Sequence, residues 1–305
     1  APPSFNVAII KLIPKKSTAA KKIADLRPLS LINSDQKILS HVLANRIKPI
    51  CNTVIAKHQY AHFPKRDIHS AITKIRQYSV ELDKNSMLCA LDFSKAFDCV
   101  DRSFMLKILD FLPIDTKTMS LIKTIYTSTK SIIEVNSEFS EVLEITRGVR
   151  QGCPLSALLF NLVMEPLLEK IQNSRKIKSN QIQKVIAYAD DITIAMKCTS
   201  INRLLKLLDK FQKFSGLAIN YDKSEILTKM KNVPFLDETK QIKIVNTVKI
   251  LGVRTSIKET IDPETRNEIW STVNQIPKFI NKNTSLRARS INIETFILSK
   301  IIFKL

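Results

Sequence analysis

The sequence predicts an α+β fold in which an antiparallel sheet lies at the centre and packs against helices. Three observations support this fold class. Hairpin-like, strand-like and helix-like segments follow one another in a mixed order along the chain. Several strand-like segments are short apolar runs, which is typical of buried strands. Apolar residues make up 44% of the 305 residues, so a sizeable core is possible and wholesale disorder is not expected.

The start of the chain predicts a hairpin followed by a helix. Residues 7–14 and 27–32 are strand-like, and the lysine-rich stretch between them is expected to form the basic tip of the hairpin. Asn33 and Gln36 are spaced as a capping box. Apolar residues at helical spacing over residues 38–50 predict the helix that follows.

The remaining elements follow from the same periodicities. Helical spacing predicts helices over residues 67–82, 103–111, 115–126, 155–168, 201–214, 263–280 and 286–303. Short apolar or alternating runs predict strands over residues 87–93, 132–135, 142–145, 185–188, 192–196 and 247–253. Pro154 stands near the first turn of one helix, and Gly216 is a typical residue to end another.

The chain is strongly basic. Its 48 lysines and arginines exceed its 28 acidic residues by 20, and the first 80 residues alone carry 14 basic residues against three aspartates. An excess of this size favours a polyanionic partner, most often nucleic acid. A solvated lysine-rich surface is the alternative that charge alone leaves open.

Several function classes are excluded or disfavoured. The four glycines can build neither a G-x-G-x-x-G fingerprint nor a P-loop, which excludes Rossmann cofactor binding and P-loop NTPase chemistry. Five cysteines without a C-x-x-C pair indicate a reducing, intracellular compartment. Cys51, His58, His62 and His69 match no common zinc spacing, so we expect no metal there.

No signal peptide or membrane span is expected, because no apolar run approaches the roughly 20 residues that cross a bilayer. The sequence begins with Ala1 and ends within an apolar helical pattern. We therefore expect it to be an excerpt of a longer protein.

Three carboxylates suggest a metal site. Asp190 and Asp191 lie between two apolar strand-like runs, and Asp92 ends another. Aspartate is also an ordinary turn residue, so the adjacent pair alone is weak support. Two carboxylates at the tip of a buried hairpin, however, need a cation to offset their repulsion and desolvation. Three could hold two Mg²⁺ ions about 3.5–4 Å apart, the arrangement that supports in-line phosphoryl transfer.

Seven motifs, arranged in a compatible order along the chain, resemble reverse transcriptases of non-LTR (LINE-type) retrotransposons. Y-A-D-D at residues 188–191 and R-G-V-R-Q-G-C-P-L-S at 147–156 resemble reverse transcriptase signatures. The other motifs are D-L-R-P-L-S-L at 25–31, K-I-L-S-H-V-L-A-N-R at 37–46, L-D-F-S-K-A-F-D at 91–98, and I-N-Y-D-K-S at 219–224 with K-I-L-G-V at 249–253. The resemblance runs from about Ile9 to Val253.

This resemblance implies a right-hand polymerase with fingers, palm and partial thumb. The fingers would span residues 1–86, with an insertion at 113–144. The palm would span 87–112 and 145–254, and its second part would carry the primer grip. Residues 255–305 would form the first part of the helical thumb. The implied activity is RNA-directed DNA polymerisation from a DNA primer 3′-hydroxyl on an RNA template. Two Mg²⁺ ions (Mn²⁺ as an alternative), dNTPs and nuclear action are implied with it.

The resemblance also implies roles for individual residues. Asp92, Asp190 and Asp191, with the carbonyl of Phe93, would hold the metal ions. Lys223 resembles a general acid toward pyrophosphate, although a lysine on a strand edge is an equal alternative. Leu251 and Gly252 resemble the primer grip, which positions the 3′-hydroxyl.

Five further residues would contact the nucleotide. Lys15 and Arg27 would lie over the triphosphate. Gln151 would contact the nucleotide or the template base, and Gly152 would let the protein backbone approach the nucleotide closely. Phe97 resembles the steric gate that excludes a 2′-hydroxyl. The alternatives are a core role for Phe97 and solvated surface positions for the two cations.

Two departures from the family pattern are Ala61, where glycine is usual, and Ala157, where proline often stands. Neither removes a chemical group. The competing hypotheses are a catalytically silent copy that only binds nucleic acid and an RNA-dependent RNA polymerase. The intact aspartates argue against the first, and Phe97 argues against the second.

Overall fold

A computed structural model describes residues 4–15, 23–181, 183–230, 232–234, 241–257 and 263–276, together with residues 2, 285, 293 and 295. Within these residues, two five-stranded sheets and one two-stranded hairpin are combined with helices. The α+β prediction is therefore confirmed. The predicted domain boundaries stay predictions.

Most elements follow the apolar periodicity of the sequence. The strands are β1 (Val7–Pro14), β2 (Leu26–Ile32), β3 (Ser86–Leu91), β4 (Lys130–Val135), β5 (Glu138–Phe139), β6 (Leu143–Glu144), β7 (Val185–Tyr188), β8 (Asp191–Lys197), β9 (Glu225–Thr228), β10 (Lys243–Val245), β11 (Thr247–Ile250) and β12 (Val253–Ser256). The α-helices are α1 (Ser34–Val54), α2 (Ile68–Val80), α3 (Ala96–Cys99), α4 (Arg102–Asp110), α5 (Thr116–Tyr126), α6 (Ser156–Asn173), α7 (Ile201–Ser215) and α8 (Pro263–Val273).

The N-terminal sheet has the order β2-β1-β4-β5, with β6 also paired to β4. Strands β1 and β2 are antiparallel, with Ala8 opposite Ile32 and Pro14 opposite Leu26. Strand β4 runs parallel to β1, so a segment more than a hundred residues later completes this sheet. The hairpin predicted for residues 132–145 is confirmed, because β5 and β6 both pair antiparallel with β4; only the single returning strand is wrong, since it is divided in two.

The predicted capping box is also wrong. Asn33 makes no side-chain cap at the start of α1 and instead donates from its amide to the carbonyl of Ser4 at 2.6 Å. Gln36 donates to the side chain of Asn6 at 3.0 Å and accepts from Arg150 at 2.8 Å. Both side chains therefore hold the N-terminal segment to α1, because the tertiary fold offers partners that the sequence pattern does not show.

The central sheet has the order β10-β9-β3-β8-β7 and is antiparallel except for the β9–β10 pair. Alternate residues of β3 enter two separate clusters. Met87 and Cys89 join the core built around α6, whereas Leu88 joins a core with α2. Burial on both faces explains why these strands are continuously apolar rather than alternating. Strands β9 and β10 were not predicted.

Helix α6 forms the centre of the larger core. Its residues are buried around nearly the whole circumference, as expected of a helix packed on all sides. Two arginines, the buried Arg150 and the partly buried Arg102, fix the loop that leads into it. Arg150 donates to Gln36 and to the carbonyls of Asn6 and Lys130. Arg102 donates to the carbonyls of Gly148 and Ile145, among others.

The end of the described chain differs from the prediction. The strand expected over residues 247–253 is a hairpin, in which β11 and β12 are joined by Leu251 and Gly252 at φ 52° and 82°. Two central residues with positive φ match the twist of a two-residue hairpin. Helix α8 is shorter than predicted, and the helix expected over residues 286–303 lies outside the described residues. Among the described helices, none has the length and apolar character to span a bilayer.

Candidate active site

The three aspartates identified in the sequence converge at one end of the central sheet. Leu91 of β3 lies opposite Ile192 of β8, so the next positions along this pair are Asp92 and Asp191. Asp190 lies in the two-residue turn that joins β7 to β8. Facing Cα atoms of antiparallel strands are about 4.5–5.5 Å apart. Strand β3 ends at Leu91 rather than at residue 93, which leaves Asp92 just beyond the strand.

Desolvation and the repulsion between neighbouring carboxylates raise the pKa values of Asp190 and Asp191. Burial raises the pKa of Asp191 to about 6, and the charges of Asp190 and Asp92 add to the shift although its side chain keeps solvent access. Burial also raises the pKa of Asp190, with Asp92 raising it further and Arg27 opposing the shift. Such a cluster lowers its energy by binding cations, so the donor set fits hard divalent ions.

Backbone hydrogen bonds hold Asp92 in place. Its N–H donates to the Ser224 hydroxyl at 3.1 Å, and its carbonyl accepts from the Asn220 N–H at 2.8 Å. Ser224 is fully buried and donates in turn to the Asn220 carbonyl. Phe93, the predicted carbonyl ligand, follows directly, and its backbone bridges to Ile219. The I-N-Y-D-K-S segment therefore supports the first aspartate.

Sequence reasoning missed Gln59, which holds the turn that carries Asp190. Its fully buried side chain accepts from the N–H groups of Ala189 at 2.9 Å and Ala61 at 3.1 Å, and donates to the Ala189 carbonyl at 3.4 Å. Ala189 has a φ of 55°, a conformation that costs energy for a residue with a Cβ. The family resemblance drew attention to Ala61 in this segment but assigned no role to Gln59.

The predicted nucleotide-binding residues form a connected group. Gln151 donates from its amide to Asp98 at 3.0 Å, and its carbonyl accepts from Ser30 of β2. Burial raises the pKa of Asp98, whereas Gln151 and the charge of Lys15 act in the opposite direction. Arg27 on β2 is close enough to lower the proton affinity of Asp190. The structure thus brings both cations toward the acids, and it adds Asp98, which sequence reasoning missed.

Gly152 permits a close approach to strand β2, and its contact with a nucleotide stays a prediction. Its φ is 106°, and a Cβ there would lie 2.9 Å from the carbonyl oxygen of Ser30. The loop before α6 can therefore pack directly against β2. This contact joins the N-terminal sheet to the element that carries Gln151.

Phe97 packs partly in the core, and its role as a steric gate stays a prediction. It lies on α3, is partly exposed, and stacks on the buried Phe160 with ring centroids 4.5 Å apart and an interplanar angle of 13°. One face of the ring belongs to the core, and stacking fixes its orientation. The exposed part is free to limit the shape of a bound molecule.

Lys223 and the β11–β12 hairpin border the aspartates. A cavity of about 80 Å³ is lined by Asp92, Asp191, Lys223, Lys249 and Ile250, among others. Leu251 and Gly252 directly follow Ile250 in the turn. The structure therefore brings these residues to the same side of the sheet as the carboxylates.

The raised pKa of Asp191 predicts that neutralising this side chain changes the stability of the fold by an amount that depends on pH. Burial moves its pKa from 3.8 to about 6, so the folded chain binds this proton more tightly than the unfolded chain does. The resulting stabilisation is present at low pH and is lost as the pH rises through about 6. In EDTA, Asp191→Asn should therefore raise the melting temperature more at about pH 7.5 than at about pH 4.5.

Asp222→Asn, at an exposed position in the neighbouring loop, is the control and should show no such difference. If Asp191→Asn raised the melting temperature equally at both pH values, that result would contradict this electrostatic account.

Solved structures share the fold at low sequence identity. Telomerase from Candida tropicalis matches 97% of this chain with a TM-score of 0.59 and 10% identity, over 57% of its own length. The RNA-dependent RNA polymerase of a human picobirnavirus matches 97% of the chain with a TM-score of 0.54 and 11% identity, over 58% of its length. At these identities the similarity concerns the fold alone.

Sequence relatives are retrotransposon proteins. The chain is 30% identical over its whole length to the transposon TX1 uncharacterized 149 kDa protein of Xenopus laevis. It is 29% identical over 73% of its length to the retrovirus-related Pol polyprotein from the type-2 retrotransposable element R2DM of Drosophila melanogaster. It spans 24% and 21% of these two proteins. A model of the family described as reverse transcriptase (RNA-dependent DNA polymerase) matches residues 13–254. The chain therefore belongs to the reverse transcriptase family.

Proposed function

We propose that this chain is the polymerase domain of a non-LTR retrotransposon protein and extends the 3′-hydroxyl of a DNA primer on an RNA template. The convergence of Asp92, Asp190 and Asp191 at one end of a buried sheet carries the proposal. Membership of the reverse transcriptase family supports it. Nuclear action stays a prediction from the resemblance.

The carboxylates of Asp92, Asp190 and Asp191 would hold two Mg²⁺ ions, with Mn²⁺ as an alternative and the Phe93 carbonyl as a further ligand. When bound, such ions lower the pKa of an attacking hydroxyl and neutralise a leaving pyrophosphate. Arg27 would supply a bidentate fork for the phosphates, and Lys15 a point charge beside Asp98. Lys223, at the cavity that Asp92 and Asp191 line, would be the proton donor to pyrophosphate.

Gln151 and Gly152 would border the base, with Gln151 oriented by its hydrogen bond to Asp98. Leu251 and Gly252 would position the primer end at the edge of the aspartate cavity. The positive charge of the chain favours RNA and DNA held mainly through phosphates, so affinity should fall with salt. Polymerases that make RNA share this fold with those that make DNA. The inference that this chain makes DNA therefore rests on Phe97 and on family membership.

The first test of this function is primer extension on poly(rA)/oligo(dT). We expect the chain to incorporate dTTP and to reject UTP. Asp190→Asn should reduce the rate by more than about 100-fold, because even outer partners of metal ligands contribute 10–100-fold.

Asp110→Asn, which removes an exposed carboxylate paired with Lys123, should leave the rate unchanged. Template binding without extension by the unmodified chain would instead support a silent nucleic-acid-binding copy. Efficient UTP incorporation would support an RNA polymerase.

A second test concerns sugar selection. Phe97→Val removes most of the ring that would pack beneath the sugar, so we expect discrimination against UTP to fall by at least about tenfold. The ratio of kcat/KM for dTTP to that for UTP measures this effect. Phe104→Val is a matched control, because Phe104 is also partly buried and contacts the buried ring of Phe211. A similar change in both variants would mean that Phe97 acts only through packing.

A third test concerns Gln59 as a positioning residue. Gln59→Leu keeps the approximate size but removes the bonds to Ala189, so the turn that carries Asp190 loses its support. We expect kcat to fall about 10–100-fold, the KM for dTTP to change little, and the Mg²⁺ concentration for half-maximal rate to rise.

The Mg²⁺ dependence separates positioning from folding, because a smaller fraction of folded protein lowers the rate without moving that midpoint. Gln77→Leu, on the exposed side of α2, is the control. An unchanged Mg²⁺ midpoint in Gln59→Leu would contradict the positioning role.

A further inference from the structure

A second polar cluster lies between α6 and the segment that follows α1. It consists of His58 and two glutamates one helical turn apart, Glu165 and Glu169. The side chains of His58 and Glu165 are only 4% and 7% exposed, and His58 Nε2 lies 3.5 Å from Glu165 Oε1. None of these residues belongs to the aspartate site.

The hydrogen-bonding capacity of this cluster is incompletely used. Glu165 Oε1 accepts from the N–H of Ala56 at 2.9 Å. Within the described part of the chain, Glu165 Oε2 and His58 Nε2 have no hydrogen-bond partner. A buried carboxylate oxygen and a buried imidazole nitrogen without hydrogen-bond partners are costly, unless a ligand binds them.

The donor atoms are spaced for a single ion. One ligand atom from each of His58, Glu165 and Glu169 can be chosen so that all three lie within 4.8 Å of one another. Zinc binds imidazole nitrogen and carboxylate oxygen at about 2.0–2.2 Å, so two donors of a tetrahedral ion lie about 3.3–3.6 Å apart. Glu169 is only partly buried and accepts a hydrogen bond from Asn173, so its side chain would have to turn from Asn173 toward the ion.

The surrounding charges favour coordination over simple electrostatic attraction. Arg66 interacts with Glu165 while donating to the carbonyls of Ala56 and Gln59, so it offsets one of the two carboxylates. Glu169 lines an open groove of about 560 Å³, which offers a path from solvent but also carries Lys170, Arg175 and Lys176. The positive charges of these side chains repel a metal ion, so the binding free energy must come from coordination by its ligands. An imidazole donor selects zinc over magnesium or calcium.

We propose that His58, Glu165 and Glu169 form a second metal site, which binds Zn²⁺ with three protein ligands and one open position. The ion would tie α6 to the residues that pair with β7, where the Ala187 N–H donates to the His58 carbonyl at 2.8 Å. Binding to the folded state alone stabilises a protein by mass action. The site would therefore strengthen the strand that leads into Tyr188–Asp191.

Zinc titration of the chelator-stripped 305-residue chain tests the proposal, with millimolar Mg²⁺ present to occupy the aspartates. We expect one Zn²⁺ to bind per chain by calorimetry and to raise the melting temperature by about 2 °C or more. Glu169→Gln and His58→Gln should each weaken binding at least tenfold and remove most of the thermal shift. Glu141→Gln, at an exposed glutamate, should behave as the unmodified chain.

Glu169→Gln is the main variant because its side chain is the least buried, and its metal-free melting shows whether the fold is intact. Two results would overturn the proposal: unchanged Zn²⁺ affinity in both ligand variants, or no thermal shift in the unmodified chain. A thiolate band in the Co²⁺-substituted protein would also overturn it, because the ion would then lie on cysteine. Polymerase activity is not part of the readout, so the result is independent of the proposed function.

Discussion

The electrostatic cost of holding three carboxylates together at the end of one buried sheet is the constraint on which this structure depends. Asp92, Asp190 and Asp191 repel one another and lose hydration, so the pKa values of the last two are raised. The opposing support comes from neutral groups that act on the backbone. Ser224 and Asn220 hold Asp92, and Gln59 holds the turn before Asp190. The carboxylates are thereby kept in place while their oxygens remain open to cations.

The loop before α6 shows how structural and chemical roles share one motif. Within R-G-V-R-Q-G, Arg150 is buried and joins α1 to the N-terminal sheet, whereas Gln151 is oriented by Asp98 on the side of the predicted nucleotide site. Gly148 and Gly152 allow this loop to approach the backbones of Asp98 and Ser30. Packing within the chain therefore accounts for several residues of this motif, independently of the predicted nucleotide contact.

The segment after α1 serves two sites from adjacent residues. In this segment, which is bridged to β7 at Gln59, the Gln59 side chain contacts the turn that carries Asp190, whereas His58 lies beside Glu165 of α6. A ligand at the second cluster would act on the same backbone that positions Ala189. The two sites are thus connected by neighbouring peptide groups.

Local patterns determined most helices, the principal strands and the identity of the three aspartates, because apolar periodicity and short motifs are properties of neighbouring residues. Ile38 and Phe214 belong to the apolar patterns that predicted α1 and α7, yet each is 66% exposed, since periodicity does not show how wide a face the fold covers. Only the tertiary structure decided the partners of Gln36, the hairpin at Leu251, and the roles of Gln59, Asp98 and Glu165. Apart from the hairpin, which pairs neighbouring residues, each of these depends on contacts between residues far apart in the chain, and no local spacing encodes such contacts.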